Sequence, residues 1–252
     1  MQNYKKLITL GTACFLLFFF TLFPARIVFA VFMPDSVQGY GVEGSIWKGS
    51  ARIINAGGQQ LRNTEWDIAL SRLLLGQIGG DFKTRWGSGF AEGFGTLSMT
   101  GTIRLSDTQA NFDVATVSSM FGIPQVGGQV NLAINNLEVV SNWPHKLTGT
   151  GEIRNLSSPL MGSGAADLIG NVAIEFDSDT ETDTDTITGQ IKDSGGPLEL
   201  KGTLLLTPPG NYDLDTRIKA RQSAPKELKD NLQFLGSPES DGSHIFKLAG
   251  SI

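Results

Sequence analysis

Cysteine and histidine are almost absent from this sequence of 252 residues, which has one cysteine and two histidines. The cysteine, Cys14, lies in an apolar stretch near the N-terminus, so the rest of the chain can form neither an intramolecular disulfide nor a cysteine-based zinc site. We interpret Cys14 as a small apolar residue of that stretch. His145 and His244 lie in different segments without Asp or Glu at ligand spacing. We therefore expect no metal and no catalytic histidine.

Acidic residues are absent before Asp35, whereas Lys5, Lys6 and Arg26 all precede it. The remaining chain holds 17 basic residues and all 25 acidic ones, which gives it a net charge of −8. An acidic domain repels the phosphate backbone of nucleic acids and anionic lipid headgroups. We therefore expect no nucleic-acid partner, whereas a basic partner or a neutral ligand is compatible with this charge.

Sequence motifs of catalysis and cofactor binding are also missing. The chain has no nucleophile elbow, no phosphate-binding loop and no cysteine outside the apolar stretch. Gly39, Gly41 and Gly44 match the spacing of a dinucleotide fingerprint, but that motif requires a preceding strand and a following helix. We interpret these three as turn glycines. We expect no enzyme activity, no catalytic residue, no cofactor and no metal site.

An acidic stretch over residues 177–186 alternates Asp or Glu with Thr or Ser and contains no apolar side chain. Such a stretch cannot lie in a core, so a solvated loop or hairpin tip is predicted. The alternative is a calcium loop. The stretch lacks the loop glycine and the terminal bidentate glutamate of an EF-hand, so we do not favour it.

A long apolar run near the N-terminus covers residues 7–23 and continues, around Arg26, to residue 31. As a helix it would span roughly 26 Å over its first 17 residues at ~1.5 Å per residue, close to the ~30 Å hydrocarbon core of a bilayer. Lys5 and Lys6 place its N-terminal side in the cytoplasm by the positive-inside rule. The prediction is a cytoplasmic tail (1–6), a single-pass inner-membrane anchor (7–31) and a periplasmic β-rich domain (32–252). The alternative is a signal peptide cleaved after the sequence Val-Phe-Ala at 28–30.

Period-two alternation dominates the rest of the chain and predicts strands. Apolar residues with one glycine alternate over 97–105, 198–206 and 246–252. A glycine on the inner face lets a sheet curve. The predicted fold is therefore mainly β, a curved and mostly antiparallel sheet. Three short helices are predicted at 71–76, with Ser71 as the cap and Gly76 as the stop, at 114–121 and at 225–236.

The stretch 41–51 (GVEGSIWKGSA) opens this region. Its alternation predicts two short strands, the first including residues 45–47 and the second residues 51–54, that meet in a turn at Lys48 and Gly49. The next turn is predicted at 55–58, followed by a strand in which Trp66 and Ile68 share one face.

Gly44, Trp47 and Gly49, which follow an apolar N-terminal segment, resemble the start of the type II secretion system protein N family. Trp66 and the run ending at Gly76 resemble the family's next block, and residues 196–202 (GPLELKG) with Tyr212 resemble a later one. The resemblance implies an accessory component of the machinery that exports folded proteins across the outer membrane. It would contact other inner-membrane or periplasmic components of that machinery, and the glycines and tryptophans would be structural.

Residues 66–76 are also similar to the AsmA-like envelope proteins, whose taco-shaped sheets have an apolar inner face. This resemblance implies a half-barrel and an alternative function, lipid binding or lipid transfer. Acyl chains would then lie along the predicted apolar row, which comprises Leu97, Met99, Ile103, Leu105, Leu198, Leu200, Leu204 and Leu206. If helices fill that face, it is an ordinary core.

Overall fold

A computed structural model describes residues 2–118, 126–158, 167–178 and 186–251. Over these residues the chain is mainly β, with thirteen antiparallel strands and a few short helices. The strands are β1 (Val37–Gly44), β2 (Lys48–Ala56), β3 (Gln59–Ile68), β4 (Gln77–Trp86), β5 (Gly89–Ser98), β6 (Ile103–Asp113), β7 (Gly127–Val140), β8 (Trp143–Ser158), β9 (Asp167–Ser178), β10 (Ile187–Gly195), β11 (Leu198–Thr207), β12 (Asn211–Ala220) and β13 (His244–Ser251). The helices are α1 (Gln2–Thr21), α2 (Ala25–Val31), α3 (Leu70–Leu73), α4 (Val114–Ser118) and α5 (Lys226–Asn231), and a 3₁₀ turn follows at Leu232–Leu235.

The chain forms two compact units, Met1–Trp86 and Gly87–Ile252. Within each unit, every strand pairs with its neighbours in the chain. The prediction of a mainly β, antiparallel fold is confirmed. The curved half-barrel form and the division into tail, anchor and periplasmic domain stay predictions.

The apolar N-terminal run forms two helices, α1 and α2, and not one continuous span. The break falls at Pro24, which has no N–H to donate and disfavours helical backbone at Phe23. Among the described residues, no helix combines the length and the hydropathy needed to cross a bilayer. The transmembrane helix predicted over 7–31 is therefore not confirmed.

The opening hairpin of the first unit differs from the prediction. β1 ends at Gly44, and the turn consists of residues 45–47, whereas Lys48 and Gly49 already belong to β2. The Ser45 hydroxyl oxygen accepts hydrogen bonds from the backbone N–H groups of Trp47 and Lys48, at 3.3 and 3.1 Å. This side-chain turn outweighs the strand preference of Ile46 and Trp47.

The other local predictions for this unit are partly confirmed. Gly57 and Gly58, both at positive φ, make the two-residue turn between β2 and β3. The helix predicted at 71–76 is the shorter α3. Ser71 is not its cap, because the N-cap position is Ala69 and makes no side-chain bond. Gly76, with φ of +68°, ends the turn as predicted.

In the second unit, the row predicted over 97–105 is not one strand. Leu97 is in β5 and pairs with Ile103 in β6, and a turn lies between them. Gly101 in this turn has φ of +83°, and the Met99 side chain is 90% exposed. The hydroxyl of Ser98, bonded to the Thr102 N–H, helps to close the turn. The sequence pattern did not reveal the turn, because apolar and polar residues alternate through it as they do in a strand.

The strands β11 and β13 confirm the alternation predicted at 198–206 and 246–252, although Ile252 lies outside the described residues. The predicted helix at 225–236 is confirmed as α5 and the 3₁₀ turn, which Gly236 ends. Only residues 114–118 of the helix predicted at 114–121 are described, as α4. Its predicted stop and most of the acidic stretch 177–186 lie outside the described residues.

The sheet of the second unit has an apolar face and a polar face. One cross-strand row of the apolar face runs Ala110, Leu132, Gly151, Ile174, Ile191, Gly202, Thr216 and Phe246. The α5 segment covers one end of this face. The core there consists of Val172, Leu198, Leu200, Ile218, Ala224, Leu228 and Leu232, all buried.

Candidate functional site

The signature residues Gly44, Trp47, Gly49 and Trp66 lie together in the first unit, where the N-terminal helices meet the sheet. We call this cluster the tryptophan junction. Gly44 has φ of +81°, and a Cβ there would lie 2.5 Å from the Lys48 carbonyl oxygen. Only glycine fits this hairpin position without displacing backbone.

Trp47 joins the turn after β1 to the end of α1. Its indole Nε1 donates a hydrogen bond to the Phe20 carbonyl oxygen at 2.8 Å, and the two ring centroids are 4.8 Å apart. The last carbonyls of a helix lack intrahelical donors. Trp47 satisfies one of them with a side chain from the turn between β1 and β2.

Trp66 holds the other side of the junction. Its Nε1 donates to the Ile46 carbonyl oxygen at 3.2 Å, and its ring lies 6.1 Å from that of Phe29 in α2, centroid to centroid. The indole covers Gly49, where a Cβ would lie 2.6 Å from Trp66 Cζ2. The absence of a side chain at Gly49 therefore makes room for the tryptophan.

Backbone contacts complete the attachment. The Ile46 N–H donates to the Phe23 carbonyl oxygen at 3.0 Å, and Pro24 forms an antiparallel bridge with Ser45. Ala25, the first residue of α2, is only 1% exposed. The junction thus fixes an apolar helix to a sheet by packing and hydrogen bonding.

The charged groups near the junction are solvated. The Lys48 ammonium donates to a carboxylate oxygen of Asp67 at 2.6 Å, and this bond raises the pKa of Lys48. Both side chains are more than half exposed. Exposed pairs of this kind contribute little to stability.

The apolar face of the second unit is the lipid-binding surface of the alternative hypothesis. At its centre, the side chains of Ile174 and Phe176 pack over Gly151 and Gly189. A Cβ on Gly151 would lie 2.8 Å from Ile174 Cγ2, and one on Gly189 would lie 2.8 Å from Ile174 Cδ1. The two glycines leave the space that these large side chains fill.

The predicted apolar row is not brought together as one surface. Leu198 and Leu200 are buried in the core beneath α5, at 1% and 9% exposure. Leu97 and Ile103 are 45% and 43% exposed, and Met99 lies in a turn. Burial therefore differs widely along the row.

The polar face of the second unit carries a groove of about 520 Å³ across β5 to β10. Its polar lining consists of Gln109, Asn111, Asn131, Thr150, Glu152, Glu175, Gln190 and Lys192. Asn111 donates to the Asn131 amide oxygen at 2.7 Å, and Arg154 binds Glu152 at 2.8 Å. No sequence pattern predicts this groove, because its lining residues come from six strands and carry no motif.

His244 contacts the backbone at the end of the 3₁₀ turn. His244 is buried, with Nδ1 2.9 Å from the Gly236 carbonyl oxygen, and so helps to attach the 3₁₀ turn to β13. Within the part of the chain that the structure describes, no group of three or more His, Cys, Asp or Glu side chains could hold a metal ion.

Three bulges were not predicted from the sequence. They lie at Asn63, Asp107 and Asn155, where the backbone has positive φ within or beside a strand. Asn and Asp tolerate this conformation better than other side chains. The sequence signal for such a bulge is an Asn or Asp inside a run of alternating apolar and polar residues.

The comparisons with known proteins point to one family. The type II secretion system (T2SS), protein N family profile matches residues 35–246. The type II secretion system protein N of Vibrio cholerae serotype O1 is 25% identical over 228 residues, 87% of each chain. The protein of the same name from Aeromonas hydrophila is 23% identical over 229 residues, 87% of this chain and 86% of its own. No solved structure matches. The chain belongs to the type II secretion system protein N family.

Proposed function

We propose that this protein is an accessory component of the type II secretion system, anchored in the inner membrane, and that it acts in the periplasm by contact with other secretion components. The observation that carries the proposal is the family match over 35–246, which includes the residues of the tryptophan junction. The junction residues bind a helix and offer no nucleophile, acid or base. Their geometry therefore suits assembly and does not suit catalysis.

Membrane attachment is the first part of the proposal. It is supported by apolar side chains of α1 that are more than half exposed, including Leu7, Phe15 and Phe19. Apolar surface of this extent is unusual in water. Lys5 and Lys6 at one end favour a cytoplasmic N-terminus. An alkaline phosphatase fused after residue 252 should be active in cells; an inactive fusion that is made in full would contradict the topology.

Retention of the N-terminal segment is the second part. Phe20 and Phe29 contact Trp47 and Trp66, so cleavage after residue 30 would remove partners of both tryptophans. The mass of the protein purified from membranes should therefore match the full chain. A mass equal to that of residues 31–252 would support the signal-peptide alternative.

Action by contact is the third part. Deletion of the gene should reduce secretion of the substrates of this system, and the tagged protein should co-purify with another secretion component from detergent extracts. Complementation by the wild-type gene is the control. Normal secretion after deletion, together with no co-purifying secretion protein, would contradict the proposed function.

A lipid-binding function is the second candidate. It is favoured by the exposure of part of the apolar face, where Ile103 and Leu248 are 43% and 40% exposed, beyond the end that α5 covers. Mass spectrometry of the protein purified in uncharged detergent and washed free of bulk lipid tests it. Phospholipid retained by the wild type and lost in Ile103→Asp would support this function. Equal lipid content in both would contradict it.

A further inference from the structure

Three cations lie side by side on the polar face of the second unit. Lys192 in β10 pairs with Lys201 in β11, and Lys201 pairs with Arg217 in β12. All three side chains are exposed. Because neighbouring strands are ~4.8 Å apart, the three charges form a straight row across the strands. We call these residues the cation row.

Like charges directly opposite each other destabilise a sheet. Other cations of this face avoid that penalty. Lys247 binds Asp215 at 2.7 Å, and Lys219 is paired in register with Glu199. Over the residues that the structure describes, no member of the cation row takes part in an ion pair. The row is also set in a chain region whose net charge is −8.

Beside the row, the polar face is concave. Lys192 lines the groove of about 520 Å³, and its cross-strand neighbour in β9 is the small residue Ala173. The line of the row continues through Ala173 to Glu152 and Asn131. A rod-like partner lying along this line would meet the three cations at one end. At the other end it would meet Glu152, which Arg154 binds, and the Asn131 amide.

We propose that the cation row binds an acidic α-helix of a partner protein, lying across the strands. Carboxylates at positions i, i+4 and i+7 of a helix are ~5–6 Å apart along one face, close to the ~4.8 Å spacing of the row. Side chains on one face of an extended strand are ~6.6 Å apart and match it less well. The proposal rests on the proposed function, because it assigns the surface through which the protein makes contact.

A synthetic helical peptide of about 20 residues, with Glu at i, i+4, i+7 and i+11 on an Ala-rich background, is the probe. Its binding to the full-length protein in uncharged detergent would be measured by fluorescence anisotropy. The test variant is Lys192→Gln with Lys201→Gln and Arg217→Gln. The control is Lys219→Gln with Lys226→Gln and Lys247→Gln, which changes the net charge equally. Circular dichroism checks that both variants fold.

The cation-row variant should bind the peptide about tenfold more weakly than the wild type, whereas the control should bind it within about twofold. A peptide with Gln in place of Glu should not bind. Equal weakening in both variants would show a mere net-charge effect and overturn the proposal. Binding of the wild type to phosphatidylglycerol vesicles without binding to the peptide would also overturn it, in favour of a membrane surface.

A secretion assay separates this inference from the proposed function. If deletion of the gene impairs secretion but the cation-row variant secretes normally, the inference fails and the proposed function stands. If deletion has no effect and no secretion protein co-purifies, the proposed function fails. We expect the cation-row variant to reduce secretion and the control variant to leave it unchanged.

Discussion

Trp47 gives the Phe20 carbonyl the hydrogen bond that Pro24 cannot. In a continuous helix the Phe20 oxygen would accept from the backbone nitrogen four residues on, and that nitrogen belongs to proline. The indole N–H of Trp47, at 2.8 Å, takes its place. The proline that breaks the helix between α1 and α2 thus leaves the Phe20 carbonyl without a backbone donor, and the signature residue Trp47 supplies that donor.

Trp47→Phe keeps a ring against Phe20 but removes the donor. We expect the free energy of unfolding to fall by about 1 kcal/mol, the usual net value of a hydrogen bond. Trp143 is the matched control, because its buried Nε1 has no hydrogen-bond partner among the described residues. Trp143→Phe should leave stability unchanged or raise it. Urea unfolding in uncharged detergent, followed by circular dichroism, measures both; equal losses would contradict the role of the Trp47 bond.

Leu232 and Phe234 lie two residues apart in the 3₁₀ turn and have opposite environments. Leu232 is 2% exposed in the core beneath α5, whereas Phe234 is 78% exposed. Leu232→Ala should lower the free energy of unfolding by about 2–4 kcal/mol through lost burial and a cavity. Phe234→Ala should change it by less than about 0.5 kcal/mol. A larger loss in Phe234→Ala would contradict the packing of this segment.

Gly202 and Gly189 occupy neighbouring strands but tolerate a methyl group differently. A Cβ on Gly202 would overlap the Asp215 carbonyl oxygen, which belongs to the paired backbone. On Gly189 the nearest atom would be Ile174 Cδ1, which can rotate away. Gly202→Ala should therefore destabilise the protein by about 1–3 kcal/mol, and Gly189→Ala by less. The midpoints of urea unfolding give the order, and a reversed order would contradict this account.

Arg104 and Glu138 form a cross-strand ion pair, with N–O distances of 3.1 and 3.3 Å. The bond from Arg104 holds the pKa of Glu138 below its ordinary value. The pair therefore stabilises the fold above the ordinary pKa of Glu, about 4.3, and this contribution is lost as pH falls through the lowered pKa.

The Glu138→Gln variant tests this pair. It should unfold at lower urea concentration than the wild type at pH 7, and the difference should vanish well below pH 4. Because the Arg104 side chain is 42% exposed, the effect at pH 7 should be below about 1 kcal/mol. It should shrink further in about 1 M salt. A difference that persists unchanged in acid would rule out the ion pair as its source.

The sequence predicted most reliably what depends on neighbouring residues. The alternation over β11, the Gly57–Gly58 turn and the α5 helix each follow from a few consecutive side chains. The failures also have a local cause. The turn after Leu97 was hidden because the alternation continues through it, and the Ser45 turn was hidden because hydroxyl-to-backbone bonds leave no periodic signal.

The surfaces could not be predicted, because they depend on register between strands. The residues of the cation row are 9 and 16 positions apart in the sequence, and only the pairings of β10, β11 and β12 place them side by side. The tryptophan junction likewise joins Trp47 to Phe20 across a proline break. The family resemblance marked Trp47 as a signature position but did not identify its partner.

The pairing of each strand with its chain neighbours has a consequence for how the protein folds. Bringing two adjacent strands together closes only a short loop, and short closures carry a small entropic penalty. The strands can therefore pair one after another as the chain emerges, without waiting for a distant segment. We expect the protein to fold faster than a Greek-key β domain of equal size. The connection between β12 and β13 is longer, and it contains α5. The helix that buries one end of the apolar face is thus made only after β12, so a growing chain presents that face to solvent, or to a chaperone, until then.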